Sequence, residues 1–359
     1  MGQSHKKNKK PVPNNTPQTP IKEVAKEEIR LDKYQPKNIS LKLLNNIKHS
    51  SMKDPIEEAI IINPILCNSI IIACRSGDIK EVSNILKPND IKIDILYSLG
   101  ERIYSLILLK QSSNKLCVGL ANKIVIFSLN ENHKLKKEAE FQCKEDGEIY
   151  SLLELSNGNI ISAGNNITLW IKKSPIEYNK SNSVSVGFYK IANLLEFPLY
   201  NTIIATQENT HIIYLLKNET NSISCIAQKE NIPSIGYKGS AEKLSKNNMI
   251  LIGKFELNVI DPKNGIVCSR YPGIDRGSLL NLTQNYKEND FWVVSNYFGG
   301  FLEFYQQEGN DLIYYDKYEF DDRLIKWGHR LVRINNGCFV ITNFYGEIFV
   351  FEINKISKK

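Results

Sequence analysis

The side chains that could do chemistry are present here, but their spacing gives few of them a partner. The five histidines, His5, His49, His133, His211 and His329, are scattered and stand in no metal-ligand spacing. The seven cysteines are odd in number and widely spaced, and no C-x-x-C pair occurs. They read as small apolar residues of a reducing compartment. The chain has no G-x-x-x-x-G-K phosphate cradle, no G-x-S-x-G elbow and no H-E-x-x-H helix. Pairs such as Asp321-Asp322 read as solvated loop charges. Glycosidase carboxylates can come from distant segments, so a hydrolase using a shared channel remains the alternative. The reading is no catalytic residue, no metal and no cofactor.

Arginine and aromatic residues in turn-rich segments point instead to binding, because such residues dominate interface hot spots. They occur in "YPGIDRG" (271–277), with Asp275 and Arg276, and in "DDRLIKWGHR" (321–330), with Arg323 and Trp327. Two aromatic turns, Tyr297-Phe298 and Phe344-Tyr345, add Tyr297 and Tyr345. These six residues are candidate partner contacts only if the fold brings their loops to one face.

A repeat supplies that fold. "IYSLILLKQSSNKLCVGLANKIVIF" is followed 46 positions later by "IYSLLELSNGNIISAGNNITLWI" (149–171). Each phrase is three apolar runs separated by polar turns, and Asn-Gly and Asn-Asn tolerate the dihedrals of tight hairpins. The second run recurs at Leu116, Ile160, Ile203, Ile250, Trp292 and Phe339. "SNYFGGFLEF" (295–304) and "TNFYGEIFVF" (342–351) align without a gap. Six meanders of roughly 45 residues predict an all-β propeller, in which radial stacking protects the sheet edges.

The period and hairpin pattern over residues 91–359 resemble the WD-repeat family. Leu169-Trp170 sits where that family has its tryptophan, and Gly328-His329 where it has Gly-His. Trp170 and His329 are therefore expected to be structural. No single repeat carries both marks, and the usual turn aspartate is Asn165 or Asn166. The resemblance implies a diverged member with a partner-binding loop face. The Asn, Lys and Ile bias of an AT-rich genome fits the eukaryotic source that it also implies. The Phe-Arg-Arg-Gly signature of phosphoinositide-binding propellers is missing, Asp275-Arg276-Gly277 being the nearest run.

Blade number depends on residues 51–99. "DPIE" (54–57) looks like a helix cap with a capping box. "SIIIACRSGDIKEVSNIL" (69–86) resembles an ankyrin helix pair. Residues 51–90 are thus expected to be a helical hairpin, with "IKIDILYSL" (91–99) closing a six-bladed ring of four-stranded blades. The alternative makes 55–90 a seventh blade, with a segment near 39–47 closing the ring.

The net charge of +7 is local: residues 1–50 hold eleven Lys+Arg against four Asp+Glu, and the rest is neutral. That argues against a nucleic-acid groove on the propeller. Residues 1–50 read as a largely disordered basic tail, with a possible helix over 21–31. Gly2 with Lys6, Lys7, Lys9 and Lys10 could touch a membrane, although Lys6 stands where the myristoylation pattern wants Ser or Thr. No signal peptide or membrane-spanning run is recognised. The expected function is a non-catalytic cytoplasmic scaffold for protein partners. The alternatives are a hydrolase-type propeller enzyme and a peripheral membrane adaptor.

Overall fold

The computed structural model describes residues 39–48, 54–61, 68–111, 115–130, 134–187, 190–208, 210, 212–230, 241–244, 249–252, 256–272, 276–282, 291–296, 300–309, 311–320, 328–335 and 337–356. Strand β1 (Ile39–Lys48) comes first. Blade I is β2 (Ile56–Ile60), β3 (Ser69–Cys74), β4 (Asp78–Ser83) and β5 (Lys92–Ser98). Blade II is β6 (Ser105–Leu109), β7 (Lys115–Gly119), β8 (Lys123–Leu129) and β9 (Leu135–Gln142). Blade III is β10 (Ser151–Glu154), β11 (Ile160–Ala163), β12 (Asn166–Ser174) and β13 (Glu177–Ser185). Blade IV is β14 (Ile191–Phe197), β15 (Thr202–Gln207), β16 (Ile213–Asn218) and β17 (Ile223–Lys229). Blade V is β18 (Ala241–Lys243), β19 (Met249–Ile252), β20 (Glu256–Ile260) and β21 (Val267–Pro272). Blade VI is β22 (Arg276–Asn281), β23 (Phe291–Asn296), β24 (Phe301–Glu308) and β25 (Asp311–Glu319). Blade VII is β26 (Gly328–Asn335), β27 (Cys338–Asn343) and β28 (Glu347–Ile356), completed by β1.

Each sheet is an antiparallel meander of four strands. The first strand of each packs beside the first strands of the blades before and after it, and β26 of blade VII lies beside β2 of blade I. The chain is therefore a closed β-propeller. Its sequence explains the layering. Second strands such as β11 and β15 are buried along their whole length, because each sheet is covered on both faces by its neighbours. Outer strands β5 and β13 are largely exposed, as rim strands must be. Side chains alternate across each sheet. Ile70 and Ile72 pack with Ile47, Val340 and Val350 of blade VII, while Ile71 packs with Leu116, Val118 and Phe127 of blade II.

Several expectations are corrected. Among the described residues the sheets number seven, each of four strands, so the count of six gives way to its alternative. Residues 69–86 are not an ankyrin-like helix pair: they form β3 and β4 of blade I. Apart from a 3-10 turn at Pro198–Tyr200, the described residues contain no helix. Asp54 caps a different element, accepting from the backbone N–H and hydroxyl of Ser76 in the β3–β4 turn, which explains the misleading helix signal. Residues 92–98 are blade I's own outer strand. Closure falls to β1, paired antiparallel with β28 from Ile39↔Ile356 to Lys48↔Glu347. The propeller thus begins at residue 39 rather than 91. Residues 39–48 of the predicted 1–50 tail are ordered as β1, whereas the rest of that tail, with the predicted 21–31 helix, lies outside the described residues.

Candidate functional site at the mouth of the channel

In an antiparallel meander, the loops entering each blade and the turns between its second and third strands share one end. This is the loop face. A chain of charged and aromatic residues crosses it from blade VII to blade IV. Phe344, in the β27–β28 turn, lies under the Arg75 guanidinium, 5.0 Å from the ring centre. Arg75 donates Nε–H to Glu57 Oε1 at 2.7 Å, and Arg102 donates Nη2–H to the same oxygen at 2.7 Å. Glu57 is fully buried at the start of β2. Arg102 covers the Tyr104 ring at 4.7 Å. Tyr104 donates its hydroxyl to Glu148 Oε1 at 2.6 Å and meets Tyr150 edge-on at 5.1 Å. Lys190 sits over the Tyr150 ring at 4.1 Å and 3.8 Å from Glu148. Three cations are thus laid over three rings, with two carboxylates between them.

The repeat builds this arrangement. Tyr104 and Tyr150 are the second residue of each "IYSL" phrase, so the repeat places them at the same position of adjacent blades. The following serine ties the blades together, Ser105 Oγ donating to the Ile149 carbonyl at 2.7 Å. Burial, then the bond to Glu148, pushes the Tyr104 hydroxyl up to about 12. It therefore stays protonated and keeps donating.

Behind this mouth runs a central cavity of about 300 Å³, lined by residues from the first strands of all seven blades and by Tyr150 at its entrance. Arg330 and Glu58 pair across its wall at 2.9 Å. Glu242 opens onto the cavity, and enclosure among the strands pushes its carboxyl above the usual range, with Lys110 and Lys243 pulling it back. The Tyr150 hydroxyl has no hydrogen-bond partner among the described residues. No group of three His, Cys, Asp or Glu comes together as a metal site among the described residues.

Of the predicted residues, Tyr345 stands exposed on the loop face, one position from Phe344. Trp170 is buried, and its Nε1–H donates to Ser162 Oγ at 2.9 Å. Ser162 in turn donates to Asp146 at 3.4 Å, and Thr168 donates to the other Asp146 oxygen at 2.9 Å. This chain pins the loop that carries Glu148 and Tyr150. Asp146 is fully enclosed, and burial raises its carboxyl. Arg276 opens β22 and His329 lies in β26, but neither side chain is described. Asp275, Tyr297, Arg323 and Trp327 fall outside the described residues, as do Gly2, Lys6, Lys7, Lys9 and Lys10. Sequence reasoning missed Glu57, Arg75, Arg102, Glu148 and Lys190. The doubled "IYSL" phrase was the signal for the two tyrosines between them.

No family model matches the sequence, and no curated protein matches it. Solved structures do. The chain superimposes on the WD40 β-propeller domain of Doa1 with a TM-score of 0.62 at 12% identity, over 88% of this chain and 97% of that one. It superimposes on streptogramin B lyase with a TM-score of 0.61 at 12% identity, over 88% of this chain and 98% of that one. At such identity these likenesses show the fold alone, and that fold is the β-propeller.

Proposed function

We propose that this chain is a non-catalytic, cytoplasmic propeller that scaffolds a protein complex, docking its partner on the loop face. The observation that carries the reading is the crossing of five blades by Phe344, Arg75, Glu57, Arg102, Tyr104, Glu148, Tyr150 and Lys190. Arginine and tyrosine held rigidly by their neighbours are what interface hot spots favour, since little side-chain freedom is left to lose on binding. The WD40 neighbour supports a binding role by analogy of fold. The six described cysteines are all free, which fits a reducing compartment.

The test is co-purification of a tagged full-length chain from the cells that make it. A K190E/Y345A variant should lose a partner set that the wild type and an L199E variant retain, Leu199 being exposed at the opposite end of blade IV. Equal recovery by all three would refute docking on this face.

The second reading is a propeller enzyme working in the channel. It is favoured by Glu242 and the Arg330–Glu58 pair in one cavity, and by the lyase among the structural neighbours. Turnover of a small molecule that disappears in E242Q while the fold persists would establish it.

A further inference from the structure

We infer that β5, the outer strand of blade I, pairs edge to edge with the β5 of a second copy, so that the chain forms a two-fold dimer. The inference does not depend on what the loop face docks. β5 ends its sheet, and the outward backbone groups of such a strand are a template for a further one. Other rim strands are guarded. β9 carries Lys136, Lys137, Glu138 and Glu140, which pair among themselves. In β13, Ser181 and Asn182 are bonded to Asn221 and Ile223 of blade IV. In β21, Ser269 and Tyr271 are bonded to Asp311 of blade VI. β5 instead exposes Lys92, Asp94 and Ile95, the isoleucine by 64%. Neither Lys92 nor Asp94 has an ion-pair partner among the described residues.

The side chains select the register. With Ile93 on the two-fold axis, residue 92 of each copy faces residue 94 of the other, and residue 91 faces residue 95. Lys92 then meets Asp94 on both sides of the axis, on one face of the joined sheet. On the other face the exposed Ile95 meets Ile91 and, diagonally, Ile93, both already packed against the core between blades I and VII. An axis at Lys92 or at Asp94 sets like charges against each other, and an axis at Ile95 faces each Asp94 with Leu96. Only the Ile93 register pairs both charges. It also stops where the edge stops being regular, because the ladder to β4 shifts between the partners of Tyr97 and Ile95. Ser98, at the far end of β5, is the residue bonded to Asp78 beside the loop-face turn. Pairing over 91–95 therefore leaves the arc open, and one dimer presents two docking faces.

The test is sedimentation equilibrium of the full chain at pH 7. So short a pairing makes a small interface, so the wild-type dimer should dissociate with a constant of about 100 μM. K92E sets acidic side chains against each other on both sides of the axis, and D94K does the same with basic ones. Each should weaken the dimer about tenfold or more. K92E/D94K exchanges the two charges and restores both pairs, so it should dimerise as the wild type does. An equal mixture of K92E and D94K should likewise recover dimer, as the heterodimer. Lys92 and Asp94 are solvent-exposed, so these substitutions leave the blade intact. A wild type that stays monomeric up to about 500 μM overturns the inference. Single variants that dimerise like the wild type overturn pairing through β5. A K92E/D94K variant no better than the single variants overturns the Ile93 register.

Discussion

Glu57 and its two arginines should behave as one energetic unit, and a mutant cycle measures whether they do. Charge-assisted hydrogen bonds contribute about 1.5–3 kcal/mol each. Arg75 and Arg102 keep partial contact with water, so the low end applies, about 3 kcal/mol for the pair. R75Q/R102Q removes both bonds and strands a carboxylate that is fully buried. Its expected cost is about 3–5 kcal/mol. E57Q lets the arginines turn toward solvent and should cost about 1–2 kcal/mol. The triple variant has no charge left to bury. It should be more stable than R75Q/R102Q by about 2 kcal/mol, despite carrying one more substitution. Urea denaturation at pH 7, read as midpoints at unchanged slope, gives each value. A triple variant that costs the sum of the other two would refute the reasoning, because additivity means the three groups do not share one buried site.

Three further outcomes follow from the fold. Ile47 of the closing strand packs with Ile56, Ile70 and Val350, so I47A should cost about 2–5 kcal/mol; a loss below 0.5 kcal/mol would count against closure by β1. At Gly164 an added Cβ would stand 2.1 Å from the Asp146 carbonyl oxygen. G164A should therefore displace the loop bearing Glu148 and Tyr150, lowering stability by about 1–3 kcal/mol and weakening partner binding with it; unchanged melting and binding would contradict this. The Asp146 carboxyl is raised on folding, so its contribution is fully present below the unfolded pKa of about 3.9 and is lost as pH rises through the folded value. The stability of D146N relative to wild type should climb between pH 3 and 7, and a falling difference would show that the sign is wrong.

Most of the architecture was legible because a propeller blade is a local object. The run containing Leu116, Ile160, Ile203, Ile250, Trp292 and Phe339 traces six of the seven second strands. Blade I was obscured by Asp54, whose type and position suit a helix cap but whose partner, Ser76, is 22 residues away. Closure by a segment near 39–47 was named only with the seven-blade alternative, since β1 and β28 are separated by nearly the whole chain and nothing local marks their pairing. The site divides in the same way. Tyr345 was singled out from its own turn, and Trp170 from its place in the repeat. Glu57, Arg75 and Arg102 come from three segments that only the stacking of blades I and II assembles. A buried carboxylate shared by two distant arginines has no periodic signature.

The central claim is that a partner covers the loop face, and hydrogen–deuterium exchange on the purified complex tests it most directly. Amides of residues 75–77, 99–104, 143–150 and 344–346 should exchange more slowly in the complex than in the free chain. The turns at 175–176 and 198–201, on the opposite end, should not change. Protection confined to those opposite turns, or to the outer strands β5 and β13, would contradict the assignment of this face.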